Sequence, residues 1–206
     1  GQLAGIVRHD EAIEVIQAEQ TEDMEKFMGI VPDADGLNYV ETGVLGHFRK
    51  RVTWVASLAV LGLVSGMIIH KYEEAMSMLI ILALYMPMVA DSGGNVGSQA
   101  ATVVIRAIAL GEISLRNWFA ILFKEARIAV MLSVVLGAIA FGKILFLSWE
   151  TDVPEQYSIL YIAFGISAAL SLQVISATII GAALPLVVKR LGGDPAVAAS
   201  PAITTI

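Results

Sequence analysis

Between Tyr85 and Ala100 the chain reads YMPMVADSGGNVGSQA. Asn95 and Gln99 are four residues apart, so where helix resumes after the glycines both point to one side with Ser92 or Thr102 nearby, and Asp91 sits just before the break. Together they offer carbonyl, amide and carboxylate oxygens with no cation inside the run. Such a set suits a hard cation or its water shell. Pro87 removes a backbone donor and frees the carbonyl one turn earlier. Gly93 and Gly94 lower the cost of leaving the helix. The motif therefore predicts an interrupted helix, tolerated at membrane depth only where protein or a water-filled cavity satisfies the freed groups. The alternative is a kinked helix whose small residues allow close packing, a reading that also fits Gly62 and Gly66. Polar clusters inside a membrane are usually functional, which favours the first reading.

A second constellation is DPAVAASPAITTI, from Asp194 to Ile206. Asp194 with Pro195 suits the opening of a helix, and capping and cation ligation fit its spacing equally. Ser200 and Pro201 then loosen that helix again. Two interrupted helices in one small bundle are a recurrent pattern of ion pathways. A third constellation is acidic: Glu11, Glu14, Glu19, Glu22, Asp23 and Glu25, with Lys26 the one nearby base. Like charges at helical spacing destabilise by a few tenths of a kcal/mol per pair. A divalent cation would remove that repulsion; a solvated face is the alternative.

Glu73 and Glu74 stand at the start of the second apolar run. Glu125 stands at the start of the third, beside Lys124 and Arg127, where a salt bridge is the simpler expectation. His9, His47 and His70 are scattered outside the apolar runs. No HExxH and no nucleophile elbow appears, so the chain is not expected to be an enzyme.

The elements that must position these residues follow from composition. The chain has 206 residues, 57% hydrophobic and 16% charged, with a mean hydropathy of +0.76. That is an all-α integral membrane protein. Cysteine is absent, which excludes disulfides and thiolate metal sites. The net charge is −6, and residues 1–50 hold ten acids against four Lys/Arg while the rest balance. An acidic arm before a neutral body repels nucleic acid.

A short strand opens the chain. An amphipathic acidic helix follows from Asp10 to Met28, with Asp10 as N-cap, Gly29 at its end and a partial apolar face of Ile13, Ile16, Met24 and Phe27. A linker with Pro32, Gly36 and Gly43 leads to apolar runs at 52–69, 75–110, 126–149 and 158–188, with a fifth starting at Ala196. The second and fourth exceed the usual length, implying tilt or a break. Arg49 to Arg51, then Arg106, Arg116, Lys124 and Arg127, then Lys189 and Arg190 fall on alternate connections. The N-terminus is thus expected in the cytoplasm, with Trp149 and Tyr157 as anchors on the far side.

At PMVADSGGNVGSQAATVVIRAIALGEI the chain resembles the transmembrane domain of the MgtE family of bacterial magnesium channels, over nearly its full length. DPAVAASPAITT is similar to that family's last helix, and QAEQTED (17–23) to its acidic plug helix. The resemblance implies residues 1–8 as the end of a cytosolic CBS domain, 9–29 as the plug helix, 30–47 as a linker and 48–206 as the pore domain. The chain is on this view a fragment, and the family's central pore aspartate is expected just past Ile206. The resemblance further implies a homodimer in the bacterial inner membrane, with five membrane helices per subunit. Hydrated Mg²⁺ would pass inward between the second and fifth helices. Asp91, Gly93, Gly94, Asn95, Gln99, Asp194, Ser200, Pro201, Ala202 and Thr204 would line the path; where this chain has Ser200 relatives can carry Asn. Asn95 and Asp194 would meet the ion. Glu11, Glu14, Glu19, Glu22 and Asp23 would bind regulatory Mg²⁺ in the closed state, and Glu74 and Glu125 match accessory acidic positions. A carrier exchanging Mg²⁺ for Na⁺, or a sensor that binds Mg²⁺ and moves nothing, are the rival readings.

Overall fold

The computed structural model describes residues 7–32, 39–148, 150–151, 153–154 and 156–198. Among them there is no strand. The helices are α1 (His9–Phe27), α2 (Val44–Lys71), α3 (Glu73–Met78), α4 (Ile80–Ala109), α5 (Trp118–Ser148) and α6 (Ile159–Arg190), with 3₁₀ turns at Leu115–Asn117 and Pro195–Ala198. The strand expected over the first residues, Trp149, Ser200, Pro201, Ala202 and Thr204 lie outside the described residues.

The chain is an all-α membrane protein. The helices Val44–Lys71, Leu115–Ser148 and Ile159–Arg190 are each long and apolar enough to cross a bilayer. Helix α4 has 30 residues, about 45 Å at 1.5 Å per residue. It has the reach, and its polar middle sets it apart from the other three.

Helix α6 runs between α4 and α5 and packs along both. Three apolar clusters line that seam. Ile81 and Tyr85 of α4 meet Ile144 of α5 and Ile162 and Ile166 of α6 at one end. Val96, Ala140, Leu170 and Val174 fill the middle, and Ala100, Val104, Ala182 and Leu186 the other end. Lipid is as apolar as these side chains, so what favours their contact is close fit and dispersion rather than escape from water. Tyr85 adds a polar tie, its hydroxyl 2.7 Å from that of Ser148 in a buried pair. Helix α2 stands apart, with no residue buried within its own chain.

Several expectations need correction. Helix α4 is not interrupted at its motif: it continues through Pro87 and through Gly93 and Gly94. One proline removes one ladder bond, and the weakness of the glycines is offset by the close packing that Gly93 permits against Gln173 of α6. The interruption lies earlier, at Leu79 (φ −128°, ψ 70°), between α3 and α4. Helix α6 likewise continues through Pro185. Helix α5 starts at Trp118 rather than near Ala126, because the apolar stretch after the Leu115–Asn117 turn extends the same helix. Helix α2 begins at Val44, inside the expected linker. The residue preceding α1 is Arg8, not Asp10; its backbone N–H donates to the Glu11 carboxylate at 3.1 Å, and its guanidinium pairs with Asp10.

Candidate functional site

Helix α4 presents two chemically different faces. On one, Gly93, Gly97, Ala100, Ala101 and Val104 are buried. A Cβ on Gly93 would lie 2.5 Å from Gln173 Nε2, and a Cβ on Gly181 would lie 2.2 Å from the Gly97 carbonyl oxygen. Glycine at these places lets α4 and α6 approach backbone to backbone. Gly94 is buried too.

On the other face Asp91, Asn95, Gln99 and Thr102 are exposed. Asn95 Nδ2 donates to Asp91 Oδ2 at 3.0 Å, one turn apart. Thr102 Oγ1 donates to the Ser98 carbonyl at 2.8 Å. Arg106 continues the stripe at the end of the helix and lies 4.0 Å from Glu112. Among the described residues no helix of the same chain covers this face. A groove of about 660 Å³ opens beside it, lined by Tyr85, Pro87, Asp91 and Ser92 of α4 and by Lys143 and Ser148 of α5.

Asp194 lies at the end of the bundle where α6 terminates. One carboxylate oxygen, Oδ1, accepts the Ala196 backbone N–H at 2.9 Å and so caps the Pro195–Ala198 turn. The other, Oδ2, accepts from Lys26 Nζ of α1 at 2.9 Å. The same ammonium lies 2.6 Å from Glu22 Oε1. Hydrogen bonds that it donates to Glu22 and then to Asp194 hold the Lys26 ammonium above the usual lysine range, against partial burial. Burial alone would push the Asp194 carboxyl up, but the Lys26 and Ala196 hydrogen bonds with the charges of Lys26 and Lys189 hold it below the usual range.

The last turn of α1 is fixed a second time, on α2. Gly29 adopts φ +69°, and a Cβ there would lie 2.3 Å from Trp54 Cδ1. Two residues on, the Val31 N–H donates to the Lys50 carbonyl at 3.2 Å. A side chain at position 29 would be both strained and obstructed.

The remaining acids are dispersed. Glu11, Glu14, Glu19 and Asp23 are exposed along α1, and Glu74 is exposed in the first turn of α3. Beside it Glu73 pairs with His70 at 3.0 Å. Among the described residues no three His, Cys, Asp or Glu side chains gather where they could hold a metal ion. Glu125 is 9% exposed on α5. The salt bridge expected with Lys124 or Arg127 does not form, since neighbours one and two apart on a helix point to different sides.

Three participants escaped the sequence reading. Gln173, which covers Gly93, is an amide amid the apolar residues of α6, and that alone could have marked it. Lys143 is a charge inside an apolar run and could have been marked the same way. Lys26 was visible as the single base among acids, but its partner 168 residues away was not.

Comparison with known proteins agrees with the motif. Residues 86–206 match the MgtE family model, described as a divalent cation transporter. The chain is similar to the magnesium transporter MgtE of Thermus thermophilus, at 35% identity over all of this chain and 43% of that protein. It is 31% identical to the magnesium transporter MgtE of Bacillus subtilis, over 99% of this chain and 42% of the relative. With that of Enterococcus faecalis it shares 29% identity, over 99% of this chain and 42% of the relative. The chain thus spans less than half the length of the curated relatives it matches. With the family model covering more than half of the chain, and with the motif around Asn95 lying inside the matched region, the chain belongs to the MgtE family of divalent cation transporters.

Proposed function

We propose that this chain forms the pore part of a Mg²⁺ channel. The observation that carries the reading is the stripe of Asp91, Asn95, Gln99 and Thr102, which sits on a membrane helix and is left uncovered by the described residues of its own chain. Hydrocarbon offers these groups no partner, so the stripe belongs against water or a second subunit. Two copies apposed along α4 and the last helix would enclose a wet, oxygen-lined passage. Mg²⁺ gives up its water reluctantly, and such a passage would hold the hydrate through hydrogen bonds to its waters while the carboxylate supplies attraction at a distance. Because α4 is unbroken at the motif, side-chain oxygens rather than freed backbone carbonyls make these contacts. The protein works as a homodimer in the bacterial inner membrane with its N-terminus in the cytoplasm. Cytosolic Mg²⁺ is also a regulatory ligand, bound by the acids of α1, and favours the closed arrangement.

The test is Mg²⁺ flux by the full-length protein in liposomes. Asn95→Ala and Asn95→Leu lower flux by about tenfold or more, since each removes an amide that a bound hydrate would need. Undiminished flux in both, at matched reconstitution, rejects the reading. Unitary current steps in a planar bilayer mark a channel, saturable Na⁺-dependent flux marks a carrier, and Mg²⁺ binding without flux marks a sensor.

A further inference from the structure

Lys26 is the only lysine or arginine of α1, and it reaches beyond its own helix. Its ammonium bridges two carboxylates on separate elements, Glu22 at 2.6 Å and Asp194 at 2.9 Å. Its side chain is 25% exposed, so the bridge is partly shielded from solvent. Both oxygens of the Asp194 carboxylate are engaged, since the one not facing Lys26 caps the Pro195–Ala198 turn. Helix α1 also packs against that Pro195–Ala198 turn.

We infer that Lys26 is a tethered counter-ion: it fastens α1 to the foot of the last helix without any divalent metal and cancels the charge of Asp194 while it does so. The ammonium occupies the position between two carboxylates that a free cation would otherwise seek. A cation arriving at Asp194 must displace it, and α1 leaves the turn when it is displaced. Regulatory Mg²⁺ on the other α1 acids would then act on a helix that is already held, adding to the tether rather than creating the contact. The Gly29 and Trp54 contact keeps the end of α1 beside α2 when the ion pair opens, so release is a swing of α1 rather than its loss. The link to conduction rests on the pore reading; the tether itself does not.

The experiment measures a distance and a flux in the full-length protein. Nitroxide labels on Asp23→Cys and Val197→Cys, both exposed positions, report whether α1 is docked. In EDTA, with no divalent ion present, the otherwise unaltered protein gives one short, narrow distance. Lys26→Met broadens and lengthens it, Lys26→Arg keeps it, and the exchange Lys26→Asp with Asp194→Lys restores it. An unaltered distance distribution for Lys26→Met in EDTA overturns the tether, as does failure of the exchange to restore a distance that Lys26→Met has lost. Mg²⁺ flux at low internal Mg²⁺ rises in Lys26→Met and stays at the parental level in Lys26→Arg. Release of α1 with flux unchanged overturns the coupling to conduction. Absence of flux in the parent protein instead overturns the pore reading, and the distances still decide the tether.

Discussion

The carbonyl oxygen of Gly97 lies so close to Gly181 that a Cβ on Gly181 would sit 2.2 Å from it. Helices α4 and α6 therefore touch through their backbones at the level of the polar stripe on α4, and the stripe's position depends on that contact. Gly181→Val forces the helices apart and lowers thermal stability by about 1–3 kcal/mol, the usual cost of overpacking. Gly165 is the control: a Cβ there meets nothing within 4 Å. Gly165→Ala is neutral or stabilising, by up to about 1 kcal/mol from helix propensity. Melting curves in detergent for the two variants check the contrast, and equal destabilisation would contradict it.

Asp91 and Asn95 share one hydrogen bond on the exposed face. Asp91→Asn keeps an acceptor for the Asn95 amide but removes the charge, whereas Asp91→Leu removes both. If the carboxylate acts by attraction, Asp91→Asn lowers Mg²⁺ flux most at low salt and less at high salt, where charge is screened over about 10 Å or less. Asp91→Leu lowers it at both. Flux measured across a salt series separates the two outcomes.

Glu125 is buried on α5 with no hydrogen bond or ion pair to it among the described residues. A carboxyl in that setting costs the fold, so Glu125→Leu raises thermal stability by about 1 kcal/mol or more. If the ion pathway uses this carboxyl, Mg²⁺ flux falls in the same variant. A fall in stability would show that the carboxyl has a partner in the assembled protein.

The pH dependence of α1 docking follows from two opposed shifts. Asp194 is held below the ordinary range, so its contribution is complete above the usual carboxylate value and is lost as pH falls through the lowered one. Lys26 is held above its range, so its contribution is complete below the usual lysine value and is lost only as pH rises through the raised one. Docking read by the α1 label distance is therefore flat from about pH 5 to about pH 9 and fails only in acid below the ordinary carboxylate range. A transition near neutrality would point to a histidine instead.

Length and hydropathy were enough to read α2, α5 and α6 from the sequence, because an unbroken apolar run of that size has few other uses. The acidic α1 was legible from its charge spacing. The continuity of α4 was not. Pro87, Gly93 and Gly94 are all signals of interruption taken locally, and what outweighs them is Gln173 and Gly181 on another helix. The true interruption at Leu79 carries neither Gly nor Pro, and nothing in the residues around it announces a change of direction. Asp194 was readable as a cap or as an ion ligand with equal ease. Only the arrival of Lys26 from the far end of the chain shows how its second oxygen is used.

Helix α6 lies against both α4 and α5, while α4 and α5 meet mainly through side chains such as Tyr85 and Ser148. It is the keel of the bundle. On the pore reading, a displacement of α4 that alters the passage is felt chiefly along α6. Genetic suppressors of a defective stripe on α4 should accordingly collect on α6, at positions such as Gln173, Thr178 and Gly181, rather than at residues that an ion would touch.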